Sequence, residues 1–87
     1  MDLDPRRKRA LFRANHRGMN ENDILLGGFV KARIADLDPA ELDQLEALME
    51  ENDNDLYLWI IGERPVPEAF DTSLMRKIKE FNNYIDK

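Results

Sequence analysis

Helix-start and helix-stop signals recur along this chain and constrain its fold more than any other feature. Asp4-Pro5 and Asp38-Pro39 each join a residue that caps helices to a proline, which is favoured at the first helical position. Gly18 and Gly62 each follow a segment with helical spacing, and glycine commonly ends a helix in the left-handed conformation. No segment alternates convincingly between apolar and polar residues with a period of two. The sequence therefore predicts an all-α fold, with residues 1–87 forming one compact domain, a bundle of about five helices.

The five helical pieces can be placed from their capping residues and apolar spacing. Their predicted starts are Asp4, Asn20 with Asp23 as its capping partner, Asp38, Asp53 or Asp55, and Asp71 or Thr72. The first helix is predicted to run to about His16, and Trp59 is predicted to lie in the core. The predicted apolar stripes, in chain order, are Leu11 and Phe12; Ile24, Leu25, Gly28, Phe29 and Ala32; Leu42, Leu45, Leu48 and Met49; Leu56, Tyr57, Trp59, Ile60 and Ile61; and Leu74, Ile78, Phe81 and Ile85.

Two adjacent glycines, Gly27 and Gly28, lie inside the second predicted helix. Glycine in a helix interior is less favourable than alanine by roughly 1 kcal/mol, so these residues need a compensating reason. We expect the backbone of another element to pack closely against the helix at this point.

Side chains that carry most protein catalysis are scarce in this chain. It has no cysteine, Ser73 is its only serine, and His16 is its only histidine. Disulfides, thiolate chemistry and Cys-based zinc sites are therefore excluded, and a catalytic triad is disfavoured. Neither a calcium-loop pattern nor a glycine-rich phosphate or dinucleotide fingerprint occurs. We predict a non-enzymatic protein with no catalytic, metal-binding or cofactor-binding residues of its own.

The chain also lacks the sequence features of a membrane protein. No apolar run approaches the roughly 18 residues needed to span a bilayer. The N-terminus is charged, which is unlike a secretory signal. We therefore expect no membrane insertion.

Charge is distributed unevenly along the chain. Residues 1–19 carry a net charge of +4, and residues 20–87 carry a net charge of −9. This polarity allows either attraction between the two parts of the chain or steering of a partner with a matching field. It also leaves open an alternative function, a small regulatory or antitoxin-like protein that binds nucleic acid through a basic first helix. The acidic remainder of the chain would repel phosphate and argues against that alternative. The basic residues in question are Arg6, Arg7, Lys8, Arg9 and Arg13.

The segment Arg17-Gly18-Met19 combines three properties that suit a binding surface. Gly18 permits a sharp turn and close approach of a foreign backbone. Arg17 can form a bidentate bond to a carboxylate, and Met19 offers an adaptable apolar contact. Glu21 and Asp23 follow on the next helical turn. An ordinary turn between helices, with Arg17 paired inside the chain, is the structural alternative.

A family resemblance starts from this segment. Residues 17–23 read Arg-Gly-Met-Asn-Glu-Asn-Asp and are followed by Leu-Leu-Gly at 25–27. A second pattern, Asp-x-Asp-Leu-Tyr-x-Trp at 53–59 with Ile-x-Gly at 60–62, lies further along. A basic first helix and a proline-containing link to a last amphipathic helix complete the match. In these features the chain resembles the SdhE-type FAD assembly factors, also called succinate dehydrogenase assembly or flavinylation factors.

The resemblance implies a five-helix bundle that binds the flavoprotein subunit of succinate dehydrogenase and, in bacteria, the related fumarate reductase subunit. Such proteins promote covalent attachment of FAD to a histidine of that subunit. The chain would then need no cofactor of its own and would act on the FAD of its partner. A monomer when free is expected, with no nucleic acid bound, located in the bacterial cytoplasm or, in a eukaryote, in the mitochondrial matrix.

The resemblance also assigns a partner-binding surface. The residues expected there are Arg17, Gly18, Met19, Glu21 and Asp23, with His16 and Arg13 beside them. His16 and Asn20 depart from the residues common in the family, although both leave the core motif intact.

Overall fold

Five helices and two short 3₁₀ turns account for the architecture of the computed structural model, which describes residues 3–84. The helices are α1 (Pro5–Ala14), α2 (Asn20–Arg33), α3 (Pro39–Leu48), α4 (Asp53–Ile61) and α5 (Ser73–Phe81). The 3₁₀ turns are Ile34–Asp36 and Glu68–Phe70. No strand occurs within residues 3–84, so the all-α prediction is confirmed. Ile85, predicted to extend the last apolar stripe, lies outside the described residues.

Local capping explains where four of the helices begin. The Asp4 side chain accepts a hydrogen bond from the Arg7 amide and caps α1, as predicted. Asp38 and Glu41 form a complete capping box at α3. Thr72 caps α5, one of the two starts predicted for it. Each cap satisfies an amide that the helix itself leaves without a partner.

Two predicted helix caps were wrong, although α2 starts at Asn20 as predicted. Asn52 caps α4, because its Oδ1 accepts the Asp55 amide, whereas Asp53 and Asp55 already lie inside the helix. At α2, Asn20 is the first helical residue and Met19 occupies the capping position. Since a methionine side chain has no strong acceptor, α2 begins without a side-chain cap within the described residues.

Of the two glycines predicted to end helices, Gly62 does so and Gly18 does not. Gly62 ends α4 with φ 84°, as predicted. In contrast, α1 ends at Ala14, before the predicted end at His16, and Asn15 takes the C-cap position. Gly18 is left-handed, with φ 89°, but it lies within the turn that follows.

The buried core draws on every helix. The third-helix stripe is buried as predicted. Trp59 is 6% exposed and its ring stacks on Phe70, with centroids 5.4 Å apart, which confirms its core position. The buried apolar residues are Ala10, Ala14, Leu26, Phe29, Val30, Ile34, Leu37, Leu42, Leu45, Leu48, Met49, Leu56, Trp59, Ile60, Leu74, Met75 and Ile78.

The first, second and fifth predicted stripes contain errors, the fifth because Phe81 is 38% exposed. Phe12 and Ile24 are 62% and 63% exposed, and Ala32 is exposed as well. On α2 the core is instead reached by Leu26 and Val30. Two residues along an α-helix correspond to a rotation of about 200°, so a helix that buries Leu26 places Ile24 on the opposite side. Periodicity alone identifies a stripe without stating which edge of it faces the core.

Gly27 lies in close contact with the end of α1. A Cβ at this position would lie 2.6 Å from Asn15 Oδ1 and 3.0 Å from the Ala14 carbonyl oxygen. The Asn15 amide also donates to the Leu11 and Gly27 carbonyls. Close packing of another backbone at the glycine pair is thus confirmed for Gly27. At Gly28 the nearest atom would be Phe81 Cε2 at 4.0 Å, an ordinary contact.

Gly27→Ala and Gly28→Ala should therefore change stability in opposite directions. Gly27→Ala should lower the free energy of unfolding by about 1–3 kcal/mol, because the added methyl pushes α1 away and disturbs Asn15. Gly28→Ala should raise it by about 0.5–1 kcal/mol, because alanine favours the helix and space is available. Urea denaturation of both variants checks the pair. Equal effects at the two sites would contradict the packing described for Gly27.

Ion pairs join α1 to α3 and neutralise part of the charge polarity. Arg6 bonds to Asp43 and to Glu46 at 2.5 and 2.8 Å, and its hydrogen bonds lower the pKa of the Glu46 carboxyl. Arg13 pairs with Glu50. The basic first helix and the acidic third helix thus attract each other within the chain.

Candidate functional site

The Gly18 turn, defined as residues 15–19, links the antiparallel helices α1 and α2 at one end of the bundle. Gly18 is exposed with φ 89°, a backbone conformation that favours glycine. A Cβ placed on it would meet no atom of the described chain within 4 Å. The backbone shape of the turn therefore favours glycine at this position, and no atom of the described chain occupies the space where a side chain would project.

Arg17 stabilises the turn through hydrogen bonds to residues 49–53. Its Nε donates to Asp53 Oδ1 at 2.5 Å, and its Nη1 and Nη2 donate to the Met49 and Glu51 carbonyls at 2.8 and 2.7 Å. The side chain is only 11% exposed. Of the two interpretations left open for Arg17, the structure shows the one in which its guanidinium pairs inside the chain. All three guanidinium nitrogens tie the turn to the α3–α4 connection.

Asn22 extends this network beneath the turn, although it did not stand out in the sequence. The side chain is fully buried, and its Nδ2 donates to the Asp53 carbonyl at 2.8 Å and to Asp53 Oδ1 at 3.3 Å. Asn22 Oδ1 has no protein partner among the described residues. Asp53 therefore accepts from both Arg17 and Asn22, and it joins the first sequence pattern to the second.

The two acids of the motif lie in different surroundings. Glu21 is exposed, whereas Asp23 is half-buried and its Oδ1 has no partner within residues 3–84. Residues two apart on a helix point to different faces. Glu21 and Asp23 consequently do not form one acidic cluster, and of the two carboxylates Glu21 is the more accessible to a partner.

The other residues expected at the surface surround the turn. Met19 is half-buried, while His16 and Arg13 are exposed. The His16 ring stacks on Phe12 with centroids 3.9 Å apart, and its Nδ1 lies 2.7 Å from the Phe12 carbonyl oxygen. A shallow depression runs beside the turn. It is lined by Phe12, Arg13, His16, Arg17 and Asp53.

Residues 3–84 offer neither a metal-binding cluster nor a membrane-spanning helix. This part of the chain contains no group of three or more His, Cys, Asp or Glu residues placed to hold a metal ion. Within the same residues, no helix combines the length and apolar character needed to cross a membrane.

Fold and site together define a class, a small all-helical bundle that displays a turn supported by a partly buried ion pair. The protein-family model described as the flavinator of succinate dehydrogenase matches residues 8–82. The chain belongs to this family, and the resemblance predicted from its two sequence patterns is confirmed.

Individual relatives give the same result. The FAD assembly factor SdhE of Acetobacter pasteurianus is 43% identical over 79 residues, covering 91% of this chain and 72% of the relative. A mitochondrial succinate dehydrogenase assembly factor 2-A from Drosophila mojavensis is 38% identical over 80 residues. A mitochondrial succinate dehydrogenase assembly factor 2 from Danio rerio is 38% identical over 86 residues. The chain spans about half the length of these two mitochondrial relatives, 51% and 54%.

Proposed function

We propose that this chain is an assembly factor that binds the flavoprotein subunit of succinate dehydrogenase and promotes covalent attachment of its FAD. One observation carries the proposal: the segment that marks the family is displayed on an exposed turn whose shape is maintained by Arg17. The names of the relatives, a FAD assembly factor and succinate dehydrogenase assembly factors, support it. The family description, flavinator of succinate dehydrogenase, supports it as well.

The chemistry of attachment belongs to the partner on this proposal. The chain has no cysteine, one serine and one histidine, and Ser73 and His16 belong to different parts of the bundle. The factor acts without a nucleophile of its own, by holding the flavoprotein so that its acceptor histidine faces the flavin. Such positioning accelerates a reaction by fixing the reacting groups in place. Equivalently, preferential binding to the competent conformation shifts the population of the partner toward it.

Each residue at the turn has a role that follows from its surroundings. Gly18 lets the backbone of the partner approach, because nothing in the described chain covers it within 4 Å. Met19 contributes an apolar contact and Glu21 an accessible carboxylate. Arg17 contributes by maintaining the turn, since its donors are used inside the chain.

The proposal extends to the partner range and the compartment. The related flavoprotein subunit of fumarate reductase is a second client, because it would present a similar surface around its flavin. The factor binds as a monomer. Its compartment is the bacterial cytoplasm or the mitochondrial matrix, a choice that the bacterial and mitochondrial relatives both support.

In-gel flavin fluorescence tests this function directly. The flavoprotein subunit is produced with and without this chain, separated under denaturing conditions, and compared for flavin that remains bound. We expect a clearly stronger covalent flavin signal at equal subunit loading when the chain is present. Equal rates and extents of attachment in both samples would contradict the proposal.

A further inference from the structure

Four exposed residues lie together along the outer side of α1 and into the Gly18 turn. Lys8, Arg9 and Phe12 are on α1 at spacings that place helical residues on one side, and His16, beyond the end of the helix, stacks on Phe12. Phe12 is 62% exposed, so most of its apolar ring is available for contact. We call this set the α1 face. Because His16 belongs to the Gly18 turn, the face is continuous with that turn.

The aromatic residue of the α1 face is held in place before any partner arrives. The Phe12 ring is stacked on His16, with an angle of 13° between the ring planes. The His16 ring is in turn fixed by its contact with the Phe12 carbonyl oxygen at 2.7 Å. A side chain that is already ordered loses less conformational entropy on binding. Phe12 is therefore both exposed and ordered, which are the properties of a side chain that anchors an interface.

The cations of the α1 face are available, unlike most of their neighbours. Arg6, Arg13 and Arg17 are each committed to carboxylates of the α3–α4 region. Lys8 and Arg9, by contrast, form no ion pair with any residue of the described chain. Their charge is therefore not neutralised by a contact ion pair within the described chain, and both cations lie one helical turn before an exposed aromatic ring.

We propose that the α1 face is a second half of the docking surface, and that it receives an apolar patch bordered by carboxylates on the flavoprotein subunit. This inference rests on the proposed function and names the chemistry of the partner surface. Complementary charge would steer the encounter and increase the association rate, while the buried ring would slow dissociation. Nucleic acid fits the face less well, because two available cations on a chain of net charge −5 release few counterions from a phosphate backbone.

Binding measurements with four variants test the proposal. Purified full-length chain is titrated into purified flavoprotein subunit by calorimetry, and association rates are followed by stopped flow. Phe12→Ala should weaken binding at least about tenfold, because it removes an anchor. Arg9→Glu should lower the association rate several-fold and flatten its dependence on salt. The matched controls are Tyr84→Ala, which removes an exposed aromatic residue elsewhere, and Arg76→Glu, which reverses an exposed charge on α5.

The outcomes separate this inference from the proposed function. If the unmodified chain fails to bind the flavoprotein, the proposed function is wrong. If that chain binds but Phe12→Ala and Arg9→Glu change binding no more than their controls, the α1 face is wrong and the function stands. Retention of duplex DNA at low salt, abolished by Arg9→Glu, would reassign the face to nucleic acid. Unchanged melting temperatures are expected for Phe12→Ala, because its ring contributes little to the core.

Discussion

A chain carrying Gly18→Arg should remain folded and lose its ability to support flavinylation. Residue 18 has φ 89°, so a side chain there is destabilising by about 1–2 kcal/mol, which a folded domain can tolerate. The described chain places no atom within 4 Å of the new Cβ, so the substitution causes no internal clash. The arginine instead projects from the turn into the space that a partner would occupy. Bulk and charge at that position should prevent the two surfaces from closing.

Gly62→Arg is a closely matched control for this experiment. Gly62 has φ 84°, and a Cβ there would also meet no described atom within 4 Å. Both variants therefore carry the same backbone strain and the same added side chain. Gly18 belongs to the first of the two sequence patterns and Gly62 to the second. Thermal unfolding should shift similarly in both, whereas covalent flavin fluorescence of the client should disappear only with Gly18→Arg. Full flavinylation with Gly18→Arg would show that the turn is not the docking surface.

Arg17→Ala should be among the most destabilising single substitutions in the bundle. It would leave the Asp53 carboxylate partly buried without its cation, and the Met49 and Glu51 carbonyls without their donors. Removal of one member of a fully buried ion pair typically lowers stability by about 3–5 kcal/mol, and because the Asp53 side chain is 28% exposed we expect a loss near the lower end, about 3 kcal/mol. Domains of this kind are stable by only about 5–15 kcal/mol, so the loss should be large. Urea denaturation followed by circular dichroism measures it.

Three companion variants identify the cause of that loss. Arg17→Lys should recover only part of the stability, because an ammonium cannot reproduce the planar fork of three donating nitrogens. Combining Arg17→Ala with Asp53→Asn should be less destabilising than the sum of the two single effects, because it removes the unpaired charge. Arg13→Ala breaks the exposed pair with Glu50 and should lower stability by less than about 1 kcal/mol. A loss that small for Arg17→Ala would contradict the supporting role assigned to Arg17.

Features that depend on a few neighbouring residues were predicted well from the sequence. Asp4 and Asp38 cap helices through amides three residues away, so the local pattern contains the necessary information. The same is true of Gly62, where a left-handed residue ends an apolar helix. The third-helix stripe is also correct, since its acidic outer side leaves only one face that can be buried.

Features that depend on distant residues were predicted poorly. Phe12 and Ile24 were expected to face the core, yet both are exposed, because the side of each helix that is buried depends on how the helices pack together. Asp53 was interpreted as a helix cap, because a carboxylate at the start of a helix is typical of one. Its pairing with Arg17, 36 residues earlier, is a tertiary contact that no local pattern reveals. These long-range contacts determine the shape of the site.

The bonds from Arg17 to residues 49–53 limit how small a synthetic mimic of this surface can be. A peptide comprising only the α1–α2 hairpin would include Gly18 and Met19 but lack all three acceptors of the guanidinium. In water that guanidinium would be solvated, and the loop would sample many shapes. A competitor built on this scaffold must therefore include the start of α4 and the segment before it. Those residues stabilise the turn without contacting the partner themselves.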